Sequence, residues 1–491
     1  MNEVTDRLKG LMAGRLAAGA FLLGIVVLAL IFSVNPVFGA VVFFAAALLF
    51  FFGFWLNLGL YTIIFSLNFD NLTRLSLEST MTLTKVLIIL VLTLIVLRTL
   101  LRKDPQPLKS FNTNPLTVTI YIFFTFSLVS VISAHEYLIF VGQNVRRLNL
   151  VLFYLLLITL VRDARIMRRL FLVILVGAVI AGCMGVYEVA TGVNILELRW
   201  GKEAVEKAAF GTLTQRVLLK GAIGKARVEQ GTHRVLGLSG NPDFHAHSMI
   251  MPSMLLLLFI SLSKSWLVRI AGCAAFILFL VNILASGARG GLIALALGFI
   301  VFLVFQRIRH KAMIATIAGG AVLVFVLLFF LVAPPSVYER FAFATETETI
   351  TYRVGLSKMA IAMIEDHPFL GVGTGNFMTE YNRYIVASVP RSPLWTHNCF
   401  LQAWAENGIF GFLSYLGLYI FAAANALRVW RRSEDRFIKG AAATVLAIVV
   451  CYFFYAGIDP LIEHEAHWIA FALSTALLTI SKKQSSEGVT A

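Results

Sequence analysis

Apolar runs of about 20 residues, the length that crosses a bilayer as a helix, recur from one end of this 491-residue chain to the other. Backbone groups in hydrocarbon have no water to bind, so such runs fold as helices that satisfy their own peptide groups. Spans are predicted at about 17–33, 80–98, 116–134, 141–161, 168–187, 243–262, 267–285, 288–306, 312–333, 398–427, 438–458 and 464–480. The stretch Val37–Phe69 is long enough for one bent span or for two short ones that turn near Trp55–Gly59. The expected fold is therefore all-α: a polytopic integral membrane protein with about 12–14 transmembrane helices and a large external loop that contains short helices. With 59% hydrophobic residues, 14% charged residues and a mean hydropathy of +0.85, a water-soluble multidomain enzyme is excluded.

Lys and Arg gather in short loops at Arg98–Lys109, Arg162–Arg169, Arg307–Lys311 and Arg428–Lys439, and Lys482 and Lys483 follow the last span. The positive-inside rule puts these clusters on the cytoplasmic side and the two long loops outside. An N-terminus kept inside, with Arg7, Lys9 and Arg15 ahead of a retained first span, requires an even number of spans and favours dividing 37–69 in two. The expected organisation is N-terminal transmembrane helices over 1–187, a basic external loop over 188–242, central transmembrane helices over 243–333, a large external (periplasmic) loop over 334–396 and C-terminal transmembrane helices over 397–491. The net charge of +15 is spread over short clusters between apolar spans, so nucleic acid is not an expected partner and membrane lipids are. Cys183, Cys273 and Cys451 fall inside apolar runs and only Cys399 lies near a span boundary, which gives no disulfide framework.

In the first long loop, Arg199, Lys202, Lys207, Arg216, Lys220, Lys225, Arg227 and Arg234 make a basic surface suited to an anion. Glu197, Glu203, Glu206 and Glu229 partly balance it, so a solvated amphipathic helix fits as well. The second long loop has a predicted helix over Tyr352–Ile364, followed by Gly371-Val-Gly-Thr-Gly375, which lacks the Gly-Lys-Ser/Thr of a phosphate-binding P-loop.

Ionisable residues inside or at the lip of a span are costly and mark candidate sites. Three places qualify: Arg146 and Arg147 with Gln143 and Asn149; Arg289 within Ser286-Gly-Ala-Arg-Gly-Gly291; and His397 and Asn398 at the head of a span that also carries Gln402 and Glu406. The glycines around Arg289 let a ligand or another backbone approach its guanidinium, whose planar fork suits the phosphates of a lipid diphosphate. His397 is the candidate base, because imidazole titrates near neutral pH and can take a proton from an attacking hydroxyl. Glu406 is nine helical residues from His397, about 13 Å, and orients the imidazole only if packing brings them together. His245 with His247, and His464 with His467, lack an evident third metal ligand, and no Asp-x-Asp element occurs. A metal-independent site without a cofactor is expected.

Read together, these residues resemble the O-antigen ligase and O-antigen polymerase superfamily (Wzy-C type) of bacterial membrane glycosyltransferases. The resemblance rests on Ser286-Gly-Ala-Arg-Gly-Gly291, Tyr352-Arg-Val-Gly-Leu, Pro368-Phe-Leu-Gly-Val-Gly-Thr-Gly-Asn376, His397-Asn-Cys-Phe-Leu401 and Glu406-Asn-Gly-Ile-Phe-Gly411, ordered around one large external loop. It implies transfer of a glycan from undecaprenyl diphosphate, at the periplasmic face of the inner membrane, to an acceptor hydroxyl on lipid A core or on a second lipid-linked glycan. It further implies that Arg289, Arg353 and Arg234 bind the diphosphate, that His397 activates the acceptor, and that the anomeric centre inverts. Arg146 and Arg147 join the diphosphate set on position alone, and Asn398 and Glu406 are expected in support. Ligation onto lipid A core is the leading expectation, ahead of polymerisation and of glycan transfer to protein. A transporter of an anion or of the lipid-linked sugar is the alternative of another class, and a purely structural membrane scaffold is a third.

Overall fold

The computed structural model describes residues 56–73, 82–102, 114–201, 234–306, 347–386 and 395–489, and the regular structure among them is helical. The expected spans at about 17–33 and 312–333, residues 37–55 and most of the basic loop lie outside the described residues; of Trp55–Gly59, where 37–69 is expected to turn, Leu56–Gly59 form the first turn of a helix. Helices α1 (Leu56–Leu67) and α2 (Leu83–Arg102) are followed by α3 (Pro115–Val129), which a 3-10 turn extends over Ser130–Ser133. Next come α4 (Tyr137–Leu160), α5 (Ala164–Thr191) and the short α6 (Ile195–Trp200). A central group holds α7 (Pro242–Leu262), α8 (Trp266–Ala285) and α9 (Arg289–Phe305). Beyond it are α10 (Thr347–Asp366) and α11 (Phe377–Glu380), then α12 (Cys399–Arg432), α13 (Arg436–Ala456) and α14 (Glu465–Val489). Six of these are long and apolar enough to cross a membrane: α3 with its extension, α5, α7, α8, α12 and α13; α1, α9 and Leu83–Val96 of α2 are shorter apolar helices.

Side chains written into the sequence start most of these helices. Asn114, Asp163, Asn194, Asn241, Asn398 and Asp435 each accept a hydrogen bond from a backbone N–H of the first turn, and Pro follows Asn114 and Asn241 where the missing N–H costs nothing. Each such cap is worth about 1 kcal/mol. Gly192 ends α5 in the left-handed conformation that a side chain resists.

One apolar core runs through α1–α5, α7–α9 and α12–α14. Helix α13 is the most enclosed of the six long ones, packed against α9, α12, α14 and α7. Its Gly440-Ala-Ala-Ala443 face and Ala447 are buried, and Cys451 donates to the carbonyl of Ala294 on α9 at 3.0 Å. Small residues permit that approach, and without a hydrophobic drive between helices in lipid such close packing is what holds a bundle. A second, smaller core joins α10 and α11 to the start of α12 through Leu356, Met359, Met363, Phe377, Tyr381 and Ala405.

The two cores meet at a break in α12. Gly408, at φ 70° and ψ −174°, interrupts the helix and frees carbonyls that would otherwise be bonded within it. The segment Pro368–Gly375 fills the gap: Val372 donates to the Ala405 carbonyl at 2.8 Å, Gly373 donates to that of Glu406 at 3.1 Å, and Ile409 donates to that of Pro368 at 2.9 Å. A side chain at Gly408 would strike the Phe369 carbonyl, and one at Gly371 would strike the backbone of Ala405 and Glu406. Two glycine-bearing motifs far apart in sequence are thus one interlocked element.

Candidate active site

The break sets the first turn of α12 beside the loop between α13 and α14, and His397 stands directly before that turn. His397 has φ 51° and is the one non-glycine residue at positive φ among the described residues. This backbone costs about 1–3 kcal/mol and persists only where neighbours hold it. Two do so. His397 Nδ1 lies 3.3 Å from Asp459 Oδ1, and Nε2 lies 3.1 Å from the Tyr352 hydroxyl. A carboxylate oxygen accepts, so Nδ1 carries the proton and Nε2 presents its lone pair to Tyr352. Asn398 accepts from Phe400 and Leu401 N–H, which ties the strained residue to the helix start.

Asp459 sits at the end of α13 in Gly457-Ile-Asp-Pro460, with its side chain 6% exposed. Burial raises its carboxyl above the ordinary carboxylate range; the charge of Asp243 adds to this, and the hydrogen bond from His397 opposes it. Arg353, at the start of the second core, has Nη2 3.9 Å from the same Oδ1 and a buried Nε without a hydrogen-bond partner. Arg234 completes the cluster from the other side. Its Nη2 donates to Asp243 Oδ1 at 2.7 Å and its Nε to the Ser286 carbonyl at 2.7 Å. Tyr455 bridges the two acids, donating to the Asp243 carbonyl at 3.0 Å one turn before Asp459.

The strap that carries Arg234 is anchored by Glu188 of α5. Its carboxylate accepts from the backbone N–H of Leu236 at 3.0 Å and of Gly237 at 2.9 Å, and from Asn194 Nδ2 at 2.7 Å. Val235 N–H donates to the Ala285 carbonyl, so the strap runs alongside Ser286–Arg289. Arg289 opens α9, is half-buried, and makes no hydrogen bond or ion pair with a described residue. The helix turn it begins lies against the loop of Asp459: a side chain at Gly290 would strike Ile458, and one at Gly291 would come to 3.7 Å of the Tyr455 hydroxyl. The structure thus brings His397, Arg353, Arg234 and the Arg289 turn to one place.

Arg147 is elsewhere. It is 1% exposed, and its guanidinium donates to Ser127 Oγ at 2.8 Å, Asn407 Oδ1 at 2.7 Å, Thr374 Oγ1 at 3.2 Å and Glu406 Oε2 at 3.1 Å. Glu463 Oε1 stands 3.4 Å from its Nε. Arg147, expected on the diphosphate, is committed instead to joining α4, α3, the Pro368–Gly375 segment and α12. Glu406, expected near the imidazole, is its partner, further held by Gln402 at 3.1 Å. Arg146, on the same helix, is half-buried. His247 and His467, with Nε2 atoms 2.8 Å apart, form a buried stack with Tyr452, and Tyr419 hydrogen-bonds His467 at 2.5 Å. Among the described residues, no group of three or more His, Cys, Asp or Glu is placed to hold a metal ion.

Asp459, Asp243 and Tyr352 were not singled out from sequence as site residues. Asp459 had a signal of its own, an acid at the lip of a span just before Pro460. Nothing in the spacing announces that it meets a histidine 62 positions earlier.

The described residues thus form a helical membrane bundle with Arg353, Arg234 and the Arg289 turn gathered around a histidine paired with a carboxylate, at one set of helix ends. Residues 273–416 match the family model Wzy_C, described as O-antigen ligase, and that stretch of the chain is similar to this family. Arg289, Arg353 and His397 lie inside the matched region; Arg234 and Asp459 lie outside it. No curated protein matches this chain.

Proposed function

We propose that the protein moves a glycan from undecaprenyl diphosphate to an acceptor hydroxyl of lipid A core, at the periplasmic face of the bacterial inner membrane and without a metal ion. The observation that carries this reading is His397, held in a strained backbone with Asp459 on Nδ1 and a hydroxyl on Nε2, beside three arginines. In that arrangement Nε2 takes the proton of the acceptor hydroxyl as its oxygen bonds to the anomeric carbon. The bond from that carbon to the phosphate oxygen breaks, and the electron pair leaves on the diphosphate. Arg289, Arg353 and Arg234 meet the charge that grows there, and Asp459 supports the imidazolium that forms. Attack opposite the leaving group inverts the anomeric centre. Arg147 and Glu406 serve the frame of this site, Asn398 holds the turn, and Arg146 has no assigned part.

Polymerisation, with a second lipid-linked repeat as acceptor, uses the same donor chemistry. Purified protein given a lipid-linked glycan and lipid A core is expected to release diphosphate and extend the core. Transfer to a second lipid-linked repeat instead makes it a polymerase. Transfer to neither overturns the enzyme reading and favours transport. His397→Ala and Asp459→Asn are each expected to lower the rate by about 10²-fold or more; full activity in His397→Ala overturns the assignment of the base.

A further inference from the structure

His397 has two ring nitrogens, and the structure accounts for both. Nδ1 faces Asp459, so any hydroxyl that His397 deprotonates must reach Nε2 within about 2.6–3.2 Å. The Tyr352 hydroxyl is already there, at 3.1 Å. An imidazole nitrogen has one lone pair in the ring plane, which one hydroxyl proton can occupy at a time. Resting on the glycosyltransferase reading above, we propose that Tyr352 fills the acceptor-hydroxyl subsite of the resting protein and is displaced from Nε2 by the incoming sugar hydroxyl.

Three further observations bear on this. Burial pushes the Tyr352 hydroxyl up to about 12, so it stays protonated and donates to Nε2 at any working pH. Its ring meets the imidazole edge-on at 5.9 Å and belongs to the partly buried rim of the second core, where it is ordered over Nε2 without being enclosed. The His397 side chain is 22% exposed, which leaves its base nitrogen within reach of water unless something covers it. A tyrosine that covers it protects the lipid-linked donor from hydrolysis while no acceptor is bound. The ligand class is a neutral sugar hydroxyl, which takes the place of the phenol and delivers its own proton to Nε2 as its oxygen bonds to the anomeric carbon. Tyr352 neither gains nor loses a proton over the cycle and is a positioning residue.

The test is Tyr352→Phe, which keeps the ring and removes the competing hydrogen bond. Initial rates are measured over a range of acceptor concentration, with whichever acceptor the unaltered protein uses, and diphosphate release is measured with no acceptor present. The expected result is an acceptor KM lower by about three- to tenfold, the worth of one such bond. Turnover stays within about twofold, and acceptor-free hydrolysis rises by a similar factor. An acceptor KM that is unchanged or higher overturns the proposal, as does a tenfold or greater fall in kcat, which would put the hydroxyl into the chemistry itself. Absence of transfer by the unaltered protein overturns the function reading and this inference with it; active protein with an unshifted KM in the variant overturns this inference alone.

Discussion

Arg147 and Arg289 both lie in apolar helices, where a guanidinium without a partner is costly. Their surroundings separate them. Arg147 is enclosed by Ser127, Thr374, Asn407, Glu406 and Glu463, whereas Arg289 is half-buried and without a described partner. Arg147→Met is therefore expected to leave Glu406 buried and uncompensated and to cost about 3–5 kcal/mol of stability. Arg289→Ala is expected to leave the thermal transition in detergent nearly unmoved while transfer falls by about 10²-fold. Equal melting temperatures for the two variants would remove the distinction. Both residues were legible in the sequence as charges inside spans, but their different surroundings were not. The partners of Arg147 come from four chain segments, and a single sequence shows spacing within a segment, not which segments meet. Asp459 was hidden for the same reason, as the partner of a residue on another helix.

Helix boundaries were the most legible part of the fold. The spans predicted at 243–262, 267–285 and 288–306 are helices over Pro242–Leu262, Trp266–Ala285 and Arg289–Phe305, because hydropathy, Asn caps and glycine breaks all act locally. The helix predicted over Tyr352–Ile364 lies within Thr347–Asp366. What escaped was the joint between Pro368–Gly375 and the break at Gly408. Each glycine reads locally as a turn, and only their contact shows that one segment satisfies the carbonyls the other exposes. Gly408 occupies a backbone region essentially closed to other residues, and a side chain there meets Phe369. Gly408→Ala is expected to destabilise the protein by about 1–3 kcal/mol. Thermal unfolding in detergent measures this, and an unchanged transition would mean the break relaxes at no cost.

Across the molecule, the Asp459 ends of the helices are tied together by polar side chains from distant parts of the chain. Asn71 donates to the Leu238 carbonyl, Glu136 N–H to Asn376 Oδ1, and Asp70 accepts from Thr82 and Thr84. Burial and the nearby charge of Glu465 raise the Asp70 carboxyl to about 6. Its unfolded value is about 4, so the folded protein binds this proton more tightly. Stability from this source is complete below pH of about 4 and is lost as pH rises through about 6, by about 2–3 kcal/mol in all. Asp70→Asn is expected to flatten the melting temperature over that window and raise it at neutral pH; parallel curves for the two proteins would refute the assignment. The joint in α12 bears on the whole molecule in another way. Backbone bonds pin Val372 and Gly373 to Ala405 and Glu406, so the chain between them closes into a ring that carries His397. Lengthening a closed ring costs entropy only as the logarithm of its size. Residues can therefore be added to the far side of this ring with the clasp intact, so that the size of the ring can vary independently of the contacts that the clasp holds.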